Sequence, residues 1–305
     1  MEIKLGISIG KLKLKNPVMV ASGTFGYAEE FKDFIDLKKI GAIVTKTITL
    51  KPRKGNPGPR TCETPAGMLN SIGLENPGAD RFIAEKLPII NKTGVPAIIS
   101  IASEGDPEEF IRLARKLDKI KGVSAIELNI SCPNLRKKTR LISQDASATY
   151  DLVKSVRQAT GKTLITKLSP NVTSIVEIAK AAEEAGSDAL SLINTLTGMS
   201  IDVDERKPKI ASIVAGLSGP AIKPVAVRMC WEVYKQTKLP VIGMGGIMNT
   251  EDALEFFIAG ASAISVGTGN FINPAASLEI IEGLKKYMVK FRINGIKDII
   301  GCLKT

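Results

Sequence analysis

The sequence contains no histidine in its 305 residues. This absence excludes catalytic triads that depend on an imidazole, and it excludes metal sites with histidine ligands. Any proton transfer must therefore use a Cys, Lys, Asp, Glu, Tyr or Ser side chain. Aromatic residues are also scarce, at 5%. Their scarcity argues against modules that bind nucleic acid by stacking bases on aromatic rings.

Cysteines and long apolar runs are scarce as well. The four cysteines, Cys62, Cys132, Cys230 and Cys302, include no C-x-x-C pair. Their spacing indicates neither a disulfide framework nor a metal site. No run of 18 apolar residues occurs, and the first residues lack a signal-peptide pattern. We therefore expect a soluble, cytoplasmic protein without a membrane segment.

Positive charge exceeds negative charge, with 42 Lys and Arg against 31 Asp and Glu, a formal net charge of +11. Such a balance can indicate binding to nucleic acid, binding to anionic small molecules, or a generally basic surface. Most of the basic residues are scattered along the sequence. Scattered charge favours the second and third interpretations over a nucleic-acid interface.

Short apolar runs alternate with longer helical stretches. Unbroken apolar runs of strand length indicate strands that are buried on both faces, as in a parallel sheet. Eight such strands, each followed by a helix, fit a (β/α)8 TIM barrel, with a doubly wound open sheet as the alternative. The predicted strands cover 16–23, 41–46, 96–101, 124–130, 163–168, 188–193, 240–244 and 263–266, and the predicted helices 28–39, 78–92, 106–119, 146–160, 173–185, 220–237, 250–259 and 275–290.

Three further features concern the organisation of the chain. No domain boundary is visible, so we expect residues 1–305 to form one domain. Alternating apolar residues at 3–15 predict a β-hairpin that closes the bottom of the barrel. The segment 48–77 is rich in Pro, Gly and Asn and is too long for a simple connection. Its length predicts a functional role.

The C-terminal ends of the predicted strands are polar, and in TIM barrels the chemistry lies at these ends. Cys132 follows one strand and lies in sequence beside Asn129 and other polar residues. Glycines follow the seventh and eighth strands, where backbone N–H groups can approach an anion, the usual phosphate position in this fold. The strand ends are Ser22-Gly23, Lys46-Thr47, Ser100, Asn129 with Cys132, Lys167, Asn194-Thr195, Gly245-Gly246 and Gly267-Thr268.

Two longer motifs point to a family. The segments 63–78 (ETPAGMLNSIGLENPG) and 127–134 (ELNISCPN) resemble signatures of the dihydroorotate dehydrogenases, specifically the catalytic FMN subunit of class 1B. The similarity covers essentially the whole chain. It implies an enzyme that oxidises (S)-dihydroorotate to orotate in the synthesis of pyrimidines. In such an enzyme Cys132 would remove the C5 proton while the C6 hydride passes to FMN.

The resemblance also implies a set of ligand contacts. The phosphate of FMN would bind at Gly245, Gly246, Gly267 and Thr268, with Gly219 nearby. The flavin ring would contact Ser22, Lys46, Thr47, Asn129, Lys167 and Ile193. Dihydroorotate or orotate would contact Lys46, Asn70, Ser71, Ile72, Gly73, Leu74, Asn129, Asn194 and Thr195. No metal is implied. The family commonly has an FMN-contacting Asn where this chain has Ser100, whose hydroxyl can form fewer hydrogen bonds.

Class 1B enzymes pair with a second subunit that carries FAD and a [2Fe–2S] cluster and passes electrons to NAD⁺. The resemblance thus implies such a partner, around a homodimeric core of a heterotetramer. The sequence itself has no cluster cysteine pattern and no G-x-G-x-x-G fingerprint. Two alternatives are a related FMN barrel that acts on another pyrimidine, such as uracil or a tRNA uridine, and a flavin-free barrel that acts on sugar phosphates. Uracil has no carboxylate for Lys46 to bind.

Overall fold

The computed structural model describes residues 3–103, 105–131, 136–137 and 140–304. Eight parallel strands form a closed barrel, and they are labelled β1 to β8 in chain order. With the helices around it, the barrel is a (β/α)8 TIM barrel, as the sequence predicted. The strands are β1 (Val18–Val20), β2 (Ala42–Val44), β3 (Ala97–Ile101), β4 (Val123–Asn129), β5 (Thr163–Lys167), β6 (Ala189–Leu192), β7 (Val241–Gly243) and β8 (Ala263–Val266).

Consecutive strands are neighbours in the barrel, and β8 pairs with β1 to close it. In the closing pair, Ile264 lies opposite Val18 and Val266 opposite Val20. Every residue of these strands is buried except two partly exposed positions in β4. Burial on both faces explains why the strands are continuous apolar runs in the sequence.

Helices follow the strands. They lie at Ala79–Arg81, Phe82–Lys86 (π-helical), Leu87–Lys92, Glu108–Asp118, Ala146–Ala159, Ile175–Glu184, Lys223–Gln236, Thr250–Ala259, Gly269–Ile272 and Ala276–Lys290. Asp145, Ser174 and Asn249 cap three of them by accepting a backbone N–H bond in the first turn. Among the described residues, no helix has the length and apolarity needed to cross a membrane.

The predicted helix over 28–39 is wrong. Two 3₁₀ turns, Glu29–Phe31 and Leu37–Lys39, take its place. The carboxylate of Asp36 accepts a hydrogen bond from the backbone N–H of Lys38 and caps the second turn. Short polar side chains that bond to the local backbone compete with a continuous helix, and here Asp36 begins a separate turn.

The predicted N-terminal hairpin is confirmed. Ile7–Ile9 pairs antiparallel with Leu12–Leu14. The backbone N–H of Lys11, in the turn, donates to Thr163 Oγ1 at 3.1 Å, and Thr163 is the first residue of β5. The hairpin therefore lies against the N-terminal end of the barrel, where its buried apolar side chains complete the core.

A four-stranded antiparallel sheet, here called the outer sheet, was not predicted. It belongs to the loops that follow β2 and β6. Its strands are, in spatial order, Leu196–Gly198, Ala215–Ser218, Gly67–Asn70 and Thr61–Thr64. Smaller pairs join Ile201–Asp202 to Lys207–Pro208 and Arg136–Lys137 to Arg140–Leu141. The outer sheet shares one cavity with the C-terminal strand ends.

Candidate active site

A cavity of about 850 Å³ lies between the C-terminal strand ends and the outer sheet. Apart from Ser100, every sequence-predicted site residue in the described part of the chain lines this cavity. They are Ser22, Lys46, Thr47, Asn70, Ser71, Ile72, Gly73, Leu74, Asn129, Lys167, Ile193, Asn194, Thr195, Gly219, Gly245, Gly246, Gly267 and Thr268. Cys132 lies outside the described residues; Ser131, which precedes it, lines the cavity.

Lys167 is a buried cation on the cavity wall. It ends β5, is 5% exposed, and donates a hydrogen bond from Nζ to Ser22 Oγ at 3.2 Å. Within the described part of the chain it forms no salt bridge with a carboxylate. A buried ammonium group without an anionic partner is costly. Lys167 is therefore available to stabilise negative charge on a ligand.

A chain of hydrogen bonds fixes the carboxamides of the cavity. Asn129 Nδ2 donates to Thr47 Oγ1 at 3.3 Å, and Asn194 Nδ2 donates to Asn129 Oδ1 at 3.3 Å. The backbone N–H of Thr195 donates to Asn194 Oδ1 at 2.9 Å. Each carboxamide nitrogen has a second N–H for a ligand. Oriented amides suit a planar ring that carries alternating carbonyl and N–H groups.

Ser100, the last residue but one of β3, does not line the cavity. It is fully buried, and its Oγ lies 2.9 Å from Thr47 Oγ1. Its hydroxyl therefore supports Thr47, which in turn contacts Asn129. The weak expectation that Ser100 contacts the cofactor is not supported by this position.

The glycine turn after β7 lines the cavity and packs closely against Lys223 and Gly219. Gly246 has a φ of +74°, and a Cβ there would lie 2.7 Å from Lys223 Cβ and 2.9 Å from Gly219 O. Only glycine fits this conformation and this space. Within the described residues, the backbone N–H groups of Gly245, Gly246 and Gly267 donate no hydrogen bond to the chain. Such inward-facing donors fit a phosphate.

Several cavity residues were missed, and some of them lie in the segment 48–77. Asn56 Nδ2 donates to Ser71 Oγ at 2.8 Å, and Arg60 Nη1 lies 2.7 Å from Glu75 Oε2. Asn171, after β5, donates to the carbonyl of Thr195 at 3.0 Å. The length of the segment 48–77 marked it as functional, but it did not identify these residues. They hold the loops that carry the predicted contacts.

The Arg60–Glu75 ion pair forms part of the cavity wall. The hydrogen bond and charge of Arg60 lower the pKa of Glu75, and the charge of Lys46 lowers it further. Lys46 therefore faces a carboxylate at the cavity wall, without a hydrogen bond to it among the described residues. The positive charge of Lys46 at the cavity wall suits binding of a small anion.

Comparisons with known proteins agree with this geometry. A family model described as dihydroorotate dehydrogenase matches residues 4–288. The chain belongs to the dihydroorotate dehydrogenase family. A protein of Trichlorobacter lovleyi named "Dihydroorotate dehydrogenase B (NAD(+)), catalytic subunit" is 54% identical over 304 residues, 100% of both chains. Proteins of the same name are 53% identical in Geotalea uraniireducens, over 99% of this chain and 98% of that one, and 52% identical in Thermoanaerobacter sp., over 99% and 100%.

Membership of the dihydroorotate dehydrogenase family implies a flavin cofactor, and the residues fit one. The free N–H groups of the glycine turns suit a phosphate, and Lys167 suits the negative charge of a reduced flavin. The fixed amides of Asn129 and Asn194 suit the polar edge of a flavin or of a pyrimidine. The cavity thus has hydrogen-bond donors for a flavin cofactor and for the carboxylate-bearing substrate of a dihydroorotate dehydrogenase.

Proposed function

We propose that this chain oxidises (S)-dihydroorotate to orotate in pyrimidine synthesis, with FMN as its cofactor. One observation carries the proposal: two lysines, the oriented carboxamides and the glycine turns of β7 and β8 all line a single cavity. The names and high identity of the relatives support it. Residues 1–305 would form one FMN-binding domain, since the strands and the family match both extend along the chain.

The cofactor would occupy the barrel mouth. Gly245, Gly246, Gly267 and Thr268 would hold its phosphate, with Gly219 nearby, and Ser22, Lys46, Thr47, Asn129, Lys167 and Ile193 would contact its ring. When bound, FMN accepts the hydride that leaves C6 of dihydroorotate. Lys167 would stabilise the negative charge that arrives with the hydride, because a fixed cation in a low-dielectric site interacts strongly with it.

The substrate would lie against the loop of residues 70–74. Lys46 would bind its carboxylate, and Asn70, Asn129 and Asn194 would hydrogen-bond the ring carbonyl and N–H groups. Asn70 Nδ2 already donates to Gly216 O at 3.3 Å, which ties this loop to the outer sheet. The remaining contacts would come from Ser71, Ile72, Gly73, Leu74 and Thr195.

Cys132 would act as the base. Its thiolate would take the proton from C5 while the C6 hydride leaves, so that the C5=C6 double bond of orotate forms. A thiolate is a suitable base near neutral pH, and the chain has no histidine to compete. Cys230 cannot serve, because burial raises the pKa of its thiol to about 12. Ser131 lines the cavity immediately before Cys132 in the sequence.

A second polypeptide would receive the electrons. The relatives' names combine NAD(+) with "catalytic subunit", which supports a separate electron-transfer subunit. We expect this subunit to carry FAD and a [2Fe–2S] cluster and to bind a homodimer of the present chain as a heterotetramer. Purification of the chain with and without co-expressed partner, followed by NAD⁺ reduction assays, tests this point.

The decisive test is the colour of the protein under anaerobic conditions. The purified chain should be yellow with bound FMN and should bleach on addition of dihydroorotate but not of dihydrouracil, which lacks the carboxylate. Cys132→Ala and Cys132→Ser should retain FMN and bleach about 10²- to 10⁴-fold more slowly, the usual contribution of a positioned base. The matched control Cys62→Ala should bleach at the wild-type rate. Normal bleaching by both Cys132 variants would remove the proposed base.

A further inference from the structure

A buried carboxylate lies inside the barrel beneath the cavity. Glu127, in β4, is 1% exposed. It lies opposite Ser100 of β3 and Ile165 of β5 in the strand register. Side chains two residues apart in a strand point to the same face. Glu127 therefore points into the barrel like Asn129, but one layer deeper.

The hydrogen bonds of Glu127 leave its carboxyl group only half satisfied. Its Oε2 accepts a hydrogen bond from Ser191 Oγ at 2.9 Å, and its Oε1 is buried with no hydrogen-bond partner in the described structure. No Lys or Arg of the described part of the chain lies within salt-bridge distance of it. A half-satisfied buried carboxylate is costly and requires an explanation beyond packing.

The strand register relates Glu127 to Asn129 and Lys167, which line the cavity. Asn129 is in register with Lys167, and Lys167 is in register with Ser191, the hydrogen-bond partner of Glu127. Two residues of a strand span about 6.6 Å, so the backbone of Glu127 lies roughly one such step below that of Asn129. Its carboxyl group reaches Ser191, which is in register with Lys167. Charges a few ångströms apart interact strongly where burial reduces screening by solvent.

We propose that Glu127 lowers the reduction potential of the bound flavin, in opposition to Lys167. The inference rests on the proposed function, because it requires FMN over the barrel mouth. A reduced flavin gains negative charge, which Lys167 stabilises and the carboxylate of Glu127 destabilises. A lower potential favours onward transfer of electrons to a weak oxidant, and NAD(+) is the oxidant in the names of the relatives.

The test measures the flavin potential without dihydroorotate. Wild type and Glu127→Gln are reduced chemically in the presence of a reference dye, and the two absorbance changes give the potential. Glu127→Gln, which removes the charge and keeps the shape, should raise the equilibrium constant for reduction at least tenfold, about 30 mV for a two-electron couple. Glu127→Asp, which retains the charge, should stay within about threefold of wild type. Equal potentials for wild type and Glu127→Gln would overturn the inference.

If Glu127→Gln does not fold or does not bind FMN, a second variant tests the same inference. Ser191→Ala removes the one hydrogen bond that the described residues donate to the carboxylate, so a change beyond about threefold in the reduction equilibrium supports the coupling, and no change overturns it. The two proposals fail differently. A wild-type chain that binds no FMN or does not bleach with dihydroorotate overturns the proposed function. A wild-type chain that does both, with unshifted variants, overturns only the role of Glu127.

Discussion

The two ends of the barrel are formed by the same eight strands but differ in what covers them. At the N-terminal end, the hairpin 7–14 packs its apolar side chains into the core and leaves the barrel closed. At the C-terminal end, the outer sheet covers the strand ends but leaves a cavity of about 850 Å³. The strand ends there carry lysines, amides and glycines. The comparison indicates that one end stabilises the fold and the other binds ligands.

The largest expected difference between the two ends of the barrel is the effect on KM of replacing a lysine. Lys46→Met, at the cavity, should raise the KM for dihydroorotate about 10- to 100-fold, because a charged hydrogen bond contributes about 1.5–3 kcal/mol. Lys11→Met, at the hairpin, removes only an exposed bond from Nζ to Gly161 O and should leave KM within about twofold. Steady-state kinetics with measured FMN content provides the comparison. Equal responses would show that Lys46 does not bind the substrate.

A smaller difference concerns two glycines with nearly the same backbone conformation. Gly246 at the cavity has a φ of +74° and Gly94 at the opposite end a φ of +70°. An alanine at either position costs about 1–2 kcal/mol of stability for the left-handed backbone. Only at Gly246 would the new Cβ meet neighbours, Lys223 Cβ at 2.7 Å and Gly219 O at 2.9 Å, whereas nothing lies within 4 Å at Gly94.

The two alanine variants should therefore separate stability from cofactor binding. We expect Gly246→Ala to weaken FMN binding at least tenfold, since the turn must shift, and Gly94→Ala to leave FMN affinity unchanged while lowering the melting temperature. Fluorescence titration of the apoprotein with FMN and thermal unfolding measure the two effects. Similar FMN affinities in both variants would contradict a role for the β7 turn in phosphate binding.

The barrel could be predicted because its signals are local. Each strand is a continuous apolar run between polar or glycine-rich ends, and the helix Thr250–Ala259 and the strand Ala263–Val266 match the predicted bounds. The cavity residues followed from the position of polar residues at strand ends and from the resemblance. Their hydrogen-bond partners could not be predicted, since no periodic pattern specifies that Ser100 supports Thr47.

The outer sheet could not be predicted for a different reason. Its strands have only 3 or 4 residues, too few for a clear alternation, and its central pair joins Gly67–Asn70 to Ala215–Ser218. Such pairing across distant segments is fixed by the barrel that brings the two loops together, and not by local preference. The neighbours of Glu127 could not be predicted for the same reason, because the register of β4 with β3 and β5 decides them.

The smallest expected effect concerns Glu75, which pairs with Arg60 at the cavity wall. Glu75→Gln removes a negative charge near Lys46 and should lower the KM for the anionic substrate by less than about threefold, because exposed charge pairs contribute only about 0–1 kcal/mol. Glu282→Gln, whose partner Lys285 lies on the helix Ala276–Lys290, is the matched control and should leave KM unchanged. The KM of Glu75→Gln should equal that of the wild type in about 1 M salt, where the screening length is about 3 Å. A rise in KM for Glu75→Gln that persists in high salt would instead mean that the ion pair mainly positions the loop of residues 70–74.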